Sequence, residues 1–238
     1  MKEERTSCNS SSWSKLRREI LSCTRCPRLV RYRENVAREK KKQFMNWKYW
    51  GAPLPGFGDT QAELVIVGLA PAAHGGNRTG RMFTGDGSVS FLVRALHAAG
   101  FSNQQTSEHK RDGLRLANAF MTAVVRCPPP QNKPSATELA KCSSYLDREL
   151  ALLSHARVIL TLGQVAFKGY IGHVKRRGAH VPRLDFKHGQ MYFLPAGFPV
   201  VVASYHPSRQ NTQTGRLTNT MMDQALASVR KLLEEIGS

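Results

Sequence analysis

Four short apolar runs punctuate the chain: Glu63–Leu69, Asn118–Val125, Arg157–Leu162 and Pro199–Ser204. Each is apolar, partly β-branched and only strand-length, so each predicts a strand buried on both faces. Between them the apolar positions change period. Phe91, Leu92, Ala95, Leu96 and Ala99 recur at helical spacing in Ser88–Gly100, where Gly100 stops the element. Ser135-Ala-Thr-Glu138 has the form of a capping box and opens a helix to about Leu153. Gln164–Ile171 reads as a short helix. Leu217–Ile236 reads as an amphipathic one, striped by Met221, Ala225, Val229, Leu232 and Ile236. Strands alternating with helices predict an α/β fold, a three-layer sandwich with a central four-stranded parallel sheet. Ligands in such folds bind beyond the carboxyl ends of the strands, so the segments after Leu69, Val125, Leu162 and Ser204 are the places to search.

The ends of the chain differ. Residues 1–12 are polar and Ser-rich and predict a disordered tail, leaving 13–238 as a single domain. Helical spacing begins at Trp13, Leu16, Ile20 and Leu21, and a basic helix is expected from about Arg28 to Lys42. Residues 49–58 hold too much Gly and Pro for either element, and His173–Gly189 is basic and irregular. The longest apolar runs fall far short of a bilayer span, and no apolar segment follows the charged first residues as in a secretory signal. The expected compartment is the cytoplasm, with no membrane partner.

Charge narrows the partner. The 238 residues carry a net charge of +18, and residues 1–50 hold 14 Lys and Arg against 5 Asp and Glu, a net of +9. A chain this basic meets polyanions, nucleic acid first among them. Five cysteines without a secretion signal argue against a disulfide framework. Cys23 and Cys26 form a CxxC. Cys127 and Cys142 follow about a hundred residues later with fourteen residues between them, and Cys8 stands apart in the tail. Four thiolates from three segments can surround one zinc ion or one [4Fe–4S] cluster, and spacing leaves the two open.

Two strand-end motifs carry the remaining chemistry. After the first strand comes the glycine-rich GLAPAAHGGNRTGRMFTGDGS, residues 68–88, and after the fourth comes HPSRQN, residues 206–211. Taken singly, Asp86 reads as a helix cap, Phe83 as a core anchor and His206 as part of a structural turn. Together, and with the CxxC and the CPPPQNKP segment ahead of Cys142, they resemble the iron–sulfur uracil-DNA glycosylases of family 5, the B-type enzymes. Family 4 carries an acidic residue where Ala70 stands and an Asn where Ala123 stands, so the resemblance is to family 5. Met82 replaces a frequent Pro, and Arg209-Gln210 replaces a more apolar pair.

The resemblance implies a DNA-repair glycosylase that hydrolyses the N-glycosidic bond of uracil, and of hypoxanthine, xanthine and other damaged bases, leaving an abasic site. It implies a structural [4Fe–4S] cluster on Cys23, Cys26, Cys127 and Cys142, and a monomer acting near the nucleoid on double-stranded or single-stranded DNA containing deaminated bases. The catalytic set it implies is Asp86 for the water, His206 for the departing base, and Asn132 and Asn211 in support. Gly68, Leu69, Ala70 and Phe83 would hold the base. Arg78, Arg81, Ser208, Arg209 and Arg216 are the expected DNA contacts. The alternative is a non-catalytic iron–sulfur nucleic-acid-binding module of the same fold, or a zinc-stabilised one.

Overall fold

The computed structural model describes residues 2–237, with side chains described from Ser11 to Ile236. Cys8 lies outside the described side chains. The helices are α1 (Lys2–Leu21), α2 (Pro27–Glu39), α3 (Gly76–Thr79), α4 (Gly87–Ala98), α5 (Ala136–Leu152), α6 (Gln164–Arg176), α7 (Arg209–Gln213) and α8 (Asn219–Gly237). The strands are β1 (Phe57–Gly58), β2 (Leu64–Gly68), β3 (Ala119–Ala123), β4 (Val158–Leu162), β5 (Met191–Tyr192) and β6 (Val200–Ser204).

The sheet order is β1-β3-β2-β4-β6-β5. The four apolar runs form its parallel centre, in register Leu64 with Ala119, Leu64 with Val158, and Val158 with Val200. The expectation of a four-stranded, all-parallel sheet needs correction. Two antiparallel strands of two residues each, β1 and β5, extend it to six, so the sheet is mixed. They come from the Gly/Pro-rich loop and from a segment without apolar periodicity, where a two-residue pairing leaves no pattern to read.

Alternation along each central strand builds two cores. Val65, Val67, Phe120, Ile159, Val201 and Ala203 face one way and pack with Leu16 and Ile20 of α1, Tyr145 and Leu146 of α5, and Phe167 and Tyr170 of α6. Leu64, Ile66, Met121, Leu160 and Val202 face the other way and pack with Leu92 and Leu96 of α4 and Met222, Leu226 and Val229 of α8. The three-layer arrangement follows from burying both faces of the parallel centre.

Three boundaries differ from those expected. Helix α1 runs back to Lys2, across residues read as tail. Helix α2 stops at Glu39, because Lys40 takes φ +56 and breaks the helical path, so Lys40–Lys42 lie outside it. Helix α6 continues through Arg176, so the basic segment is helical at its start. There His173 is buried and its Nδ1 lies 2.8 Å from Asp147, which also accepts a two-pronged contact from Arg176. That pair ties α6 to α5. No described helix is long and apolar enough to cross a membrane.

Candidate active site

The loops after β2, β3 and β6 meet around a cavity of about 390 Å³, within the range of small-molecule sites. Leu69, Ala70, Phe83, Asp86, Asn132, His206 and Ser208 all line it. Of the expected base-binding and catalytic residues, Gly68 and Asn211 stand just behind it.

The β2 loop is shaped by what its glycines allow. A Cβ on Gly68 would sit 2.7 Å from Phe83 Cζ, so the bare glycine lets the ring lie against the strand end. A Cβ on Gly75 would sit 2.5 Å from Asp86 Oδ2 and 2.9 Å from the Thr84 carbonyl oxygen. Only a residue without a side chain leaves that carboxylate its place. Asp86 is the N-cap of α4, its Oδ1 accepting from the N–H groups of Ser88 (2.9 Å) and Val89 (3.2 Å). One oxygen is thus fixed by the helix, while the residue also lines the cavity. Phe83 adopts φ +50, a left-handed conformation unusual for a bulky residue. Gln131 (φ +54) and Asn132 (φ +57) do the same in a turn after Pro128–Pro130, and both line the cavity. Three non-glycine residues with positive φ around one cavity mark local strain of the kind found at functional sites.

The β6 loop presents His206. Asn211 holds it from behind, Nδ2 donating to the His206 carbonyl oxygen at 2.7 Å. Ser208 caps α7, its Oγ accepting from Asn211 N–H at 3.4 Å. Burial holds the His206 imidazole below the usual histidine range, and the Asp86 carboxylate pulls the other way. His206 is therefore neutral at pH 7, and one ring nitrogen can donate without carrying a charge.

Two of the expected DNA contacts are largely buried. Arg78 is 4% exposed and Arg81 7%. Arg78 donates to the carbonyl oxygens of His74 (2.8 Å) and Gly85 (2.9 Å), and its guanidinium lies over the rings of Phe44 and Trp47 at 3.9 and 4.1 Å. Arg81 forms a two-pronged pair with Asp112 at 2.7 and 2.8 Å and also donates to Thr84 and Ser107. Against burial, which pushes it up, Arg81 and the backbone N–H groups of Leu114 and Glu108 bring the Asp112 carboxyl down to about 2. Both arginines hold the turn of residues 83–86 in place, and all three guanidinium nitrogens of Arg81 are engaged within the protein. Arg209 and Arg216 are exposed on the β6 loop, Arg216 with its guanidinium 4.7 Å from the Tyr205 ring centre. The sequence reading missed Gln131 and Gln210, which also line the cavity. Their only signal was adjacency to Asn132 and Arg209.

The four cysteines line a second cavity, which shares no residue with the first. Cys26 is the residue before α2, whose first position is Pro27, and Cys142 lies in α5. Arg33 Nη1 donates to Cys127 Sγ at 3.1 Å, and Arg126 N–H to Cys142 Sγ at 3.3 Å. Burial pushes the Cys127 thiol up to about 11 and raises Cys142 as well. The Nε atoms of Arg33 and Arg126 are buried without a hydrogen-bond partner. Among the described residues, no group of three or more His, Cys, Asp or Glu side chains converges as a site for a single metal ion. The four cysteines line one cavity with Arg33, while the Arg126 guanidinium is held by Glu149 Oε2 at 2.9 Å and Thr122 Oγ1 at 2.7 Å.

The profile of the uracil DNA glycosylase superfamily matches residues 55–230. A type-5 uracil-DNA glycosylase of Thermus thermophilus is 47% identical over 90% of this chain and 94% of its own. One of Pyrobaculum aerophilum is 45% identical over 84% of each chain. A type-4 uracil-DNA glycosylase of Archaeoglobus fulgidus is 29% identical over 80% of this chain. The chain belongs to the uracil DNA glycosylase superfamily, and within it to the type-5 enzymes.

Proposed function

We propose that the protein is a monofunctional DNA-repair glycosylase that removes uracil from DNA and leaves an abasic site. The observation that carries this reading is the convergence of Phe83, Asp86 and His206 on one cavity at the carboxyl edge of the sheet.

A base within a duplex is out of reach, so the target nucleotide is flipped into the cavity. Its base stacks on the Phe83 ring. The C1′–N bond then breaks and its electron pair leaves with the base, while positive charge grows on the sugar. His206 donates a hydrogen bond to the developing base anion, a contribution of about 3–4 kcal/mol for one well-placed donor. Asp86 orients a water for attack on C1′, accepts its proton and opposes the charge on the sugar. Asn132 adds an amide for the water or the base, and Asn211 holds the backbone of His206. Arg209, Arg216 and the Ser208 hydroxyl serve the phosphates at the rim.

Hypoxanthine, xanthine and other damaged bases belong to the same substrate range. Phe83 packs on Leu54, Met82 and Ala123, so position 123 supplies no side-chain amide for the edge of uracil, and the amides that line the cavity, Gln131, Asn132 and Gln210, come from the loops. A site of that kind selects by shape and leaving-group ability, and it rejects analogues less strongly than a site demanding a hydrogen bond.

The cysteine cavity suits a [4Fe–4S] cluster held by Cys23, Cys26, Cys127 and Cys142. Four cysteines lining one cavity give the donor set of such a cluster, and the Arg33 guanidinium, donating to Cys127 Sγ at 3.1 Å, suits an anionic tetrathiolate group. The cluster would supply a crosslink between the α1–α2 turn, the end of β3 and α5. The protein acts as a monomer on duplex DNA and on single strands.

The test is base release from a duplex with one U·G mismatch, using protein purified without air and assayed for iron. Free uracil and an uncut backbone are expected, and Asp86→Ala should lower the rate by about 10²–10⁴-fold. No release of uracil or hypoxanthine by iron-loaded protein that still binds DNA would turn the reading to a binding module.

A further inference from the structure

The basic run after α2 has no part in the pocket chemistry, and the structure gives it a defined place. Residues 40–58 contain four lysines and no Asp or Glu. Lys40 is engaged, its Nζ donating to the Met45 carbonyl oxygen at 2.9 Å. Lys41, Lys42 and Lys48 are exposed and form no ion pair with a described residue.

This segment is fastened to the pocket loop at four points. Trp50 N–H donates to the Arg78 carbonyl oxygen and Gly51 N–H to that of Asn77, both at 3.1 Å. Tyr49 Oη lies 3.1 Å from His74 Nδ1. Phe44 and Trp47 hold the Arg78 guanidinium between them. A second basic pair joins it. Lys110 Nζ lies 4.8 Å over the Trp50 ring, and the loop bearing Lys110 and Arg111 is docked on the Phe83–Asp86 turn by Gly85 N–H donating to the Ser107 carbonyl oxygen at 2.7 Å. Trp50 is 37% exposed and Met45 53%, so apolar surface stands among the cations.

We infer that Lys41, Lys42, Lys48, Lys110 and Arg111 form a phosphate-binding flank that grips the DNA backbone beside the flipped nucleotide. The inference rests on the glycosylase reading above and extends its DNA interface. Two observations favour DNA over another polyanion. The cations sit on segments hydrogen-bonded to the loop that carries Phe83 and Asp86, so a strand whose nucleotide enters the pocket has them beside it. The exposed Trp50 and Met45 offer apolar surface to sugars and bases between the phosphate contacts. The geometry also accounts for the burial of Arg78: its charge holds the flank rather than meeting DNA.

The test measures binding of a fluorescein-labelled duplex with one U·G mismatch, by anisotropy over a salt series, in an Asp86→Asn background that keeps a helix-capping side chain. Each lost phosphate contact should lower the slope of log K against log salt by about 0.9. The triple variant Lys41→Ala, Lys42→Ala, Lys48→Ala should therefore lose about 2–3 units of slope and bind at least tenfold more weakly at 0.15 M salt. The control removes the same charge from the carboxyl ends of α6 and α8, at the opposite edge of the sheet: Lys175→Ala, Arg177→Ala, Lys231→Ala. A slope within 0.5 of the parent for the first triple would overturn the flank. So would equal losses in both triples, which would report net charge alone. Uracil release by the protein with Asp86 restored is scored separately: a flat slope with active enzyme removes only the flank, and an inactive parent removes the glycosylase reading.

Discussion

Gly75 carries as much of the site as the groups that would do the chemistry. A methyl at this position meets Asp86 Oδ2 at 2.5 Å and the Thr84 backbone at 2.9 Å, and neither is the free end of a flexible chain. Gly75→Ala should therefore move the carboxylate while leaving the sheet and both cores in place. A displacement of about 1 Å in a reacting group can cost about 10²-fold in rate. We expect a loss of that order in single-turnover uracil release, with DNA binding within a few-fold of the parent. A variant with full activity would show that the Asp86 carboxylate tolerates displacement, and the water-orienting role would fall with it. At this scale the sequence is uneven. Asp86, His206 and Phe83 are legible because the motif around them is long, and all three line the cavity. The burial of Arg78 and Arg81 is not legible, since a charge is visible in sequence and its partner is not. Asp112 lies 31 residues from Arg81, and the carbonyl oxygens that hold Arg78 leave no trace in residue type.

The start of α5 joins the two cavities, because this element follows the Gln131–Asn132 turn and carries Cys142. Its capping box is readable from Ser135 and Glu138 and is complete: Ser135 Oγ accepts from Glu138 N–H at 3.2 Å, and Glu138 accepts from Ser135 N–H at 2.8 Å. Not readable is the use of Glu138 by a second element. Arg28 in the first turn of α2 reaches it with two donors, at 2.8 and 2.7 Å, binding the helix after the CxxC to the helix bearing Cys142. Ser135→Ala should cost about 1 kcal/mol, a fall in Tm of about 2–4 °C for a chain of this size. Differential scanning calorimetry on iron-loaded protein measures it, and an unchanged Tm would show that the Arg28 contact holds the helix end without the serine. Element existence followed from hydrophobic period, while element ends and edges did not. Positive φ at Lys40 ends α2 where composition still favours helix, and β1 and β5 are too short to have a period.

Across the whole molecule, burial acts on histidine in one direction. His74, His173, His188 and His206 all sit below the usual histidine range, and desolvation is the largest cause for each. The unfolded chain takes up protons below about pH 6.5, where the folded chain still holds these rings neutral. The unfolded state then binds more protons, so stability falls as pH drops through that window. Above about 6.5 both states are neutral at these rings and the contribution is flat. Asp112 adds a second step at lower pH: its folded carboxyl sits at about 2, so its stabilisation is present above the ordinary value and lost below it. His188 isolates the first step. Its Nδ1 accepts from Tyr205 N–H at 3.1 Å and its ring stacks on that of Tyr205, so a neutral ring braces the residue before His206. A backbone hydrogen bond with Met221 opposes the depression without reversing it. His188→Asn offers an amide oxygen where Nδ1 accepts and cannot titrate. The fall in Tm between pH 7 and pH 5 should be smaller in this variant than in the parent, and acid effects at the cysteine site cancel in that difference. Equal falls in the two proteins would mean that His188 takes no extra proton on unfolding, and the brace would then be independent of its charge.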